Sequence, residues 1–156
     1  MPFQLGQRSL ANLDGVHPQL VKVVRRAIEL SAVDFGVPER AVRTAAEQAE
    51  KVRRGVSKTL NSRHLIRSDG FGHAVDLVPW IERRFTWNAW DPFFQIAAAM
   101  RDAANTAGVD LVWGGVWDKG LAHLPGTAAG LREAVEEYKA RHPGPDFLDG
   151  PHFELD

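Results

Sequence analysis

A chain of 156 residues, 44% hydrophobic and 25% charged, is sized for one compact domain that buries about two-thirds of the surface its unfolded form exposes. No apolar run approaches the roughly 20 residues of a membrane-spanning helix, and residues 1–30 hold neither a continuous apolar segment nor a small-residue cleavage site, so a soluble protein made in the cytoplasm, without a membrane anchor, is expected. Cysteine is absent, which excludes disulfides and thiolate ligands and leaves His, Asp and Glu to hold any metal. Net charge is −1, yet residues 1–84 carry 14 Lys/Arg against 9 Asp/Glu and residues 85–156 carry 5 against 11. No dense basic run interleaved with aromatics accompanies that asymmetry, so a nucleic-acid partner is not expected.

In chain order, His17-Pro18 opens a helix in which Leu20, Val23, Val24, Ala27, Ile28 and Leu30 recur at helical spacing, with proline tolerated in the first turn. Residues 33–42, with Asp34, Gly36 and Pro38, read as a loop leading into a short extended segment. Arg43 sits at the junction before Thr44-Ala45-Ala46-Glu47, a capping box that starts a helix over 44–54, and Gly55 supplies its stop. Residues 55–72 lack periodicity, whereas His73 to Pro79 is short, partly β-branched and bounded by Gly and Pro, as a buried strand is. Asn88 or Asp91-Pro92 is expected to cap a helix through Phe93, Phe94, Ile96, Ala97 and Met100 to Gly108. Val109 to Trp113 reads as another strand, residues 128–141 as a surface helix, and Pro151 to Leu155 as the last strand after the Pro143-Gly144-Pro145 turn. Short strands placed irregularly among helices give the α+β class rather than a doubly wound sheet.

Chemistry concentrates in three segments: Ser62-Arg63-His64, Gly72-His73-Ala74-Val75-Asp76 and Asp149-Gly150-Pro151-His152-Phe153-Glu154. Two imidazoles and one carboxylate, here His64, Asp76 and His152, are the usual protein ligands of a catalytic zinc, which keeps a fourth position open for water. Asp76 lies inside the apolar run Ala74 to Val78, where burial is costly unless a cation or hydrogen-bond donors meet the carboxylate; a salt bridge or an exposed strand edge would also satisfy it. His64, in a polar loop, reads as a ligand or as a solvated histidine. Strand alternation puts His152 and Glu154 on one face. Asp149, three residues before His152 across Gly150-Pro151, is placed either to take a proton from a metal-activated water or simply to form the turn. Arg43 suits a clamp on a substrate carboxylate or oxyanion, assisted by Gln48, or else a surface ion pair. Trp113 and Trp117, flanking Gly114-Gly115, are candidates for a pocket wall or for the core. His73 is an alternative ligand at the strand edge, and His17, His123 and His142 read as solvated.

Ser62, His64, Gly72, Ala74, Asp76, Asp149 and His152 resemble the LAS zinc metallopeptidases, in particular the VanY-like group that includes phage L-alanyl-D-glutamate endolysins. The pattern is S-x-H-x-x-G-x-A-x-D followed much later by D/E-x-x-H, and Phe3-Gln4-Leu5-Gly6, Arg43-Thr44, Trp113-Gly114-Gly115 and His152-Phe153-Glu154-Leu155 extend the likeness over nearly the whole chain. The resemblance implies a small antiparallel sheet flanked by helices and a single catalytic domain over residues 1–156, with no separate wall-binding domain. It implies action on bacterial peptidoglycan, and a monomer is expected. It implies Zn2+ held by His64, Asp76 and His152, with Asp149 as general base and Arg43 as a catalytic residue at the substrate; Gln48, Ser62 and Trp117 are the further candidates for substrate binding. The implied reaction is hydrolysis of the L-Ala–D-Glu bond of the stem peptide, by an enzyme made in the host cytoplasm that reaches the wall through holin lesions. A D-alanyl-D-alanine carboxypeptidase and a non-catalytic, zinc-stabilised wall-binding module are the rivals. The sequence departs from the pattern between His64 and Gly72, where two residues become the seven of Leu65 to Phe71. That insertion is expected to loop out as a flap near the substrate, with Gly70 at a sharp turn and Phe71 capping the cleft.

Overall fold

The computed structural model describes residues 2–145 and 147–156. Its helices are α1 (Gln7–Asn12), α2 (Pro18–Leu30), α3 (Ala45–Arg53), α4 (Trp90–Ala107) and α5 (Ala128–Arg141). Its strands are β1 (Phe35–Gly36), β2 (Ala74–Asp76), β3 (Val78–Ile81), β4 (Arg84–Phe85), β5 (Leu111–Trp113) and β6 (His152–Leu155). The strands form two three-stranded antiparallel sheets, β1-β3-β4 and β2-β6-β5, where the sequence reading has one. The chain passes between them at Leu77, whose N–H bonds the Pro151 carbonyl at 2.9 Å and so ends the β2–β6 ladder. The α+β class holds.

The core lies between the β2-β6-β5 sheet and the helices. α4 is its axis, packed against α2 and α5, and its inner face of Ile96, Ala97, Met100, Ala103 and Ala104 is buried; the small alanines let the neighbouring helices come close. α2 contributes Leu20, Val23, Val24, Ala27 and Ile28 of the predicted stripe, while Leu30 at its end is exposed. Gly108 ends α4 in the left-handed conformation, φ 69°, returning its N–H to the Ala104 carbonyl, a conformation glycine adopts without steric cost. The capping box of α3 is complete, with Thr44 Oγ1 accepting from Glu47 N and Glu47 Oε1 from Thr44 N.

Three details differ from the sequence reading. Neither Asn88 nor Asp91 caps α4: Ala89 stands at the cap position without a side-chain bond, and the helix start is fixed instead by Trp90, whose ring packs on Phe93, Phe94 and Trp113. α5 is not purely a surface helix, since Leu131, Ala134 and Val135 are buried. α1 gave no periodic signal in its 6 residues; it is tied to the loop after β1 through Val37 N to Ser9 Oγ at 3.0 Å and Asn12 Nδ2 to Val37 O at 2.8 Å. Among the described residues, no helix is long and apolar enough to cross a membrane.

Candidate metal centre

The β2–β6 register builds most of the site. Asp76 stands directly opposite His152 and Ala74 opposite Glu154, so all four side chains share one face of the sheet. The other face carries Val75 and Phe153 into the core. Ala74 is the small residue beside Glu154, leaving room for the carboxylate that reaches back to His152 Nε2 at 2.9 Å.

His64 comes from the loop that precedes the insertion. Ser62 Oγ accepts from His64 N at 3.1 Å, and the His64 carbonyl accepts from Arg43 N at 3.0 Å, which fixes the backbone on both sides of the imidazole. The three side chains converge: His64 Nε2 to His152 Nδ1 is 3.2 Å, His64 Nε2 to Asp76 Oδ2 is 3.5 Å, and His152 Nδ1 to Asp76 Oδ1 is 3.4 Å. One ligand atom from each lies within 4.8 Å of the others. The insertion therefore does not separate the ligands.

The donor set fits a divalent cation. His64 Nδ1 lies 2.8 Å from the Ala41 carbonyl and His152 Nε2 2.9 Å from Glu154; donation at both outer nitrogens turns the lone pairs of His64 Nε2 and His152 Nδ1 toward each other. Orientation of ligating histidines through the far nitrogen is the usual outer-shell arrangement of a metal site. Asp76 Oδ1, buried beside them, has no hydrogen-bond partner. Two lone pairs and an unpartnered carboxylate oxygen in one buried space call for positive charge. Burial alone would lower the His152 pKa, but the Asp76 and Glu154 carboxylates overcome this and push it up to about 10. Burial would likewise raise Asp76, and the two histidines instead hold it well below the usual carboxylate range. Metal entry must therefore displace a proton.

The remaining predicted residues fall into distinct places. Asp149 lines the same cavity as the three ligands. Its N–H bonds the Gly114 carbonyl at 2.9 Å and its carbonyl accepts from His152 N at 3.1 Å, so Gly114 and the turn together position it. Burial first, and the neighbouring Asp76 charge second, push its carboxyl up to about 6. Arg43 lines the cavity too, but two of its nitrogens are committed, one to Asp76 Oδ2 at 3.1 Å and one to Gln48 Oε1 at 3.0 Å. Gln48 is a correction: expected at the substrate, it is fully buried, 0% exposed, because its amide also bonds Ser57 Oγ and the Thr59 carbonyl. It holds Arg43, the assisting role read for it, and does not line the cavity. Ser62 lines the cavity with its hydroxyl engaged by His64 N. Trp117 forms a wall, its ring 5.3 Å from that of His152 and its Nε1 bonded to the Phe147 carbonyl. Trp113 is core, 0% exposed.

The insertion is a second correction. Gly70 does make the sharp turn, φ +87°, with Arg67 N bonded to Phe71 O at 2.8 Å. The small hairpin folds onto the start of α2, where Phe71 meets the His17 ring at 5.5 Å and Asp69 pairs with His73 Nε2 at 2.7 Å. None of residues 65–71 lines the cavity, and His73, bound to Asp69, is not a ligand of the centre. Glu154 is the functional residue that sequence reasoning left without a role, although its shared face with His152 was the available signal. The Ala41 carbonyl carries no sequence signal.

A His-Asp-His cluster that could hold a metal ion and a carboxyl of raised pKa share one cavity of about 640 Å3 on an α+β scaffold. A profile of the phage L-alanyl-D-glutamate peptidase family matches residues 1–129. The chain is 33% identical over 121 residues to the L-alanyl-D-glutamate peptidase of Escherichia phage T5, covering 76% of this chain and 84% of that one. Among solved structures it resembles the Serratia marcescens L-Ala D-Glu endopeptidase ChiX, with a TM-score of 0.68 and 39% identity over 96% of this chain and 87% of the other. The chain belongs to the phage L-alanyl-D-glutamate peptidase family and is a peptidase. The profile ends before Asp149 and His152; the β2–β6 register sets His152 opposite Asp76, and the backbone bonds of Asp149 to Gly114 and His152 set Asp149 in the turn before it.

Proposed function

We propose that this chain is a zinc-dependent peptidoglycan endopeptidase that hydrolyses the L-Ala–D-Glu bond of the stem peptide, as a single catalytic domain acting as a monomer. The observation that carries the reading is the convergence of His64, Asp76 and His152 from three separated segments onto one buried point, in a member of this family. Those three residues would hold the zinc, which when bound supplies Lewis acidity for the scissile carbonyl and for a water. Asp149 takes the proton of the attacking water and delivers it to the leaving amine; its raised pKa keeps it close to the pH at which it must both accept and release a proton. Arg43, held by Gln48, fixes the Asp76 carboxylate and places a positive charge beside it. Glu154 and the Ala41 carbonyl orient the histidines, and Trp117 excludes water from one side of the cavity.

Synthesis in an infected cell's cytoplasm and passage to the wall through holin lesions follow from the same reading. Mass spectrometry of muropeptides digested with the zinc-loaded protein tests it. Fragments ending in L-Ala and beginning in D-Glu are expected; release of free D-Ala with L-Ala–D-Glu intact would identify the carboxypeptidase alternative instead.

A further inference from the structure

The cavity that holds the metal centre is lined by five cationic side chains, Arg43, Lys51, Arg54, Lys58 and Arg63. Four of them face a carboxylate. Arg43 is bound to Asp76, Lys51 to Glu39 at 2.9 Å, and Arg63 to Glu154 at 3.4 Å, while Arg54 lies 3.9 Å from Glu50 on its own helical face. The remaining nitrogen of Arg43, Nε, is buried and has no hydrogen-bond partner, and both of its terminal nitrogens already bond Gln48 and Asp76. Lys58 has no carboxylate partner among the described residues; its ammonium is held 5.3 Å from the centroid of the Phe147 ring. Phe147 in turn accepts the Trp117 indole N–H through its carbonyl, and Trp117 lies against His152. Lys58 is thus tied by two side-chain contacts and one hydrogen bond to a metal ligand, on a wall of the same cavity.

The substrate supplies the missing charge. In the stem peptide D-glutamate continues the chain through its side-chain carboxyl, so its α-carboxylate is free and sits on the carbon that bears the scissile nitrogen. We infer that Lys58 is a specificity-determining residue that binds the free carboxylate on the leaving-group side of the scissile bond and so selects the unamidated stem peptide. The inference rests on the proposed cleavage at L-Ala–D-Glu. The aromatic ring keeps the ammonium in place before substrate arrives, since a cation over an aromatic face is attracted without being neutralised. An entering carboxylate then completes a pair for which less side-chain entropy remains to be lost.

The test compares two synthetic stem peptides, one with D-glutamate and one with its α-amide, D-isoglutamine, as substrates for the zinc-loaded protein and for Lys58→Met and Lys58→Arg. The wild-type protein is expected to favour the carboxylate peptide about tenfold in kcat/KM, the worth of one partly exposed charge-assisted contact. Lys58→Met should bring that ratio close to one through a slower reaction of the carboxylate peptide, and Lys58→Arg should keep it, with thermal melts confirming that both variants fold. A ratio unchanged in Lys58→Met, or an equal loss on both peptides, overturns the assignment of Lys58. Absence of cleavage at L-Ala–D-Glu in either peptide by the wild-type protein overturns the underlying reading itself.

Discussion

Asp149 has an ordinary carboxyl value of 3.8 that burial and the Asp76 charge raise to about 6. As a general base it works only when ionised, so kcat/KM should rise with pH through an acid limb near or somewhat below pH 6, because bound metal offsets part of the Asp76 repulsion. A stopped assay on soluble muropeptide from pH 4 to 8 reads it, and a rate independent of pH in that window would contradict the role. The stability consequence has the opposite sign. A folded-state value above the unfolded one means the folded chain holds the proton more tightly, so the contribution of Asp149 to stability is fully present below about pH 4 and is lost as pH rises through 6. Asp149→Asn should therefore stabilise the metal-free protein at pH 7.5 by up to about 3 kcal/mol, while lowering cleavage by about 10²- to 10⁴-fold. Thermal melts and kinetics on one preparation check both. Glu154 acts at one remove: Glu154→Gln leaves the strand intact and weakens zinc binding by about 10- to 100-fold, the usual loss when the partner of a ligating histidine is changed, measured by competition with a chromophoric chelator.

At the scale of elements, the antiparallel pairing of β2 with β6 and the turn that carries Asp149 decide the site. Gly114 is the constraint on that turn. Its carbonyl accepts from the Asp149 N–H and its own N–H donates to the His152 carbonyl, and a Cβ there would overlap the Asp149 carbonyl oxygen and crowd its Cβ. Gly114→Ala should displace Asp149 and His152 together, costing about 1–3 kcal/mol as overpacking does and lowering activity beyond what the lost stability explains; wild-type kinetics in a folded Gly114→Ala protein would refute the constraint. Much of this level was legible beforehand. The α2 stripe, the Thr44–Glu47 capping box, Gly108 and the extent of α5 follow local rules that the side chains state directly. The start of α4 was not legible, because aromatic packing of Trp90 replaces a cap. The fate of the 65–71 insertion was also hidden: its partners, His17 and His73, are contacts of tertiary structure, and its length alone said only that it must loop out. For the site, His64, Asp76 and His152 were readable from residue type and order, whereas Gln48's burial depends on Ser57 and Thr59 reaching its amide.

At the scale of the whole molecule, the metal centre ties the loop at His64 to both strands of the β2–β6 pair, so occupancy is coupled to folding. Zinc at about 100 times its Kd should stabilise the protein by about 2.7 kcal/mol, which for a domain of this size is a rise in Tm of about 5–10 °C. The same rise should be absent in Asp76→Ala, and scanning calorimetry distinguishes the two. The central claim is that one zinc, held by His64, Asp76 and His152, is what makes this fold a peptidase. The direct test removes metal with a chelator, confirms its loss by elemental analysis, and follows muropeptide cleavage as zinc is added back. The account predicts no cleavage by the metal-free chain, recovery that saturates at one zinc per chain, and no recovery in the Asp76→Ala protein; full cleavage by metal-free protein would contradict it.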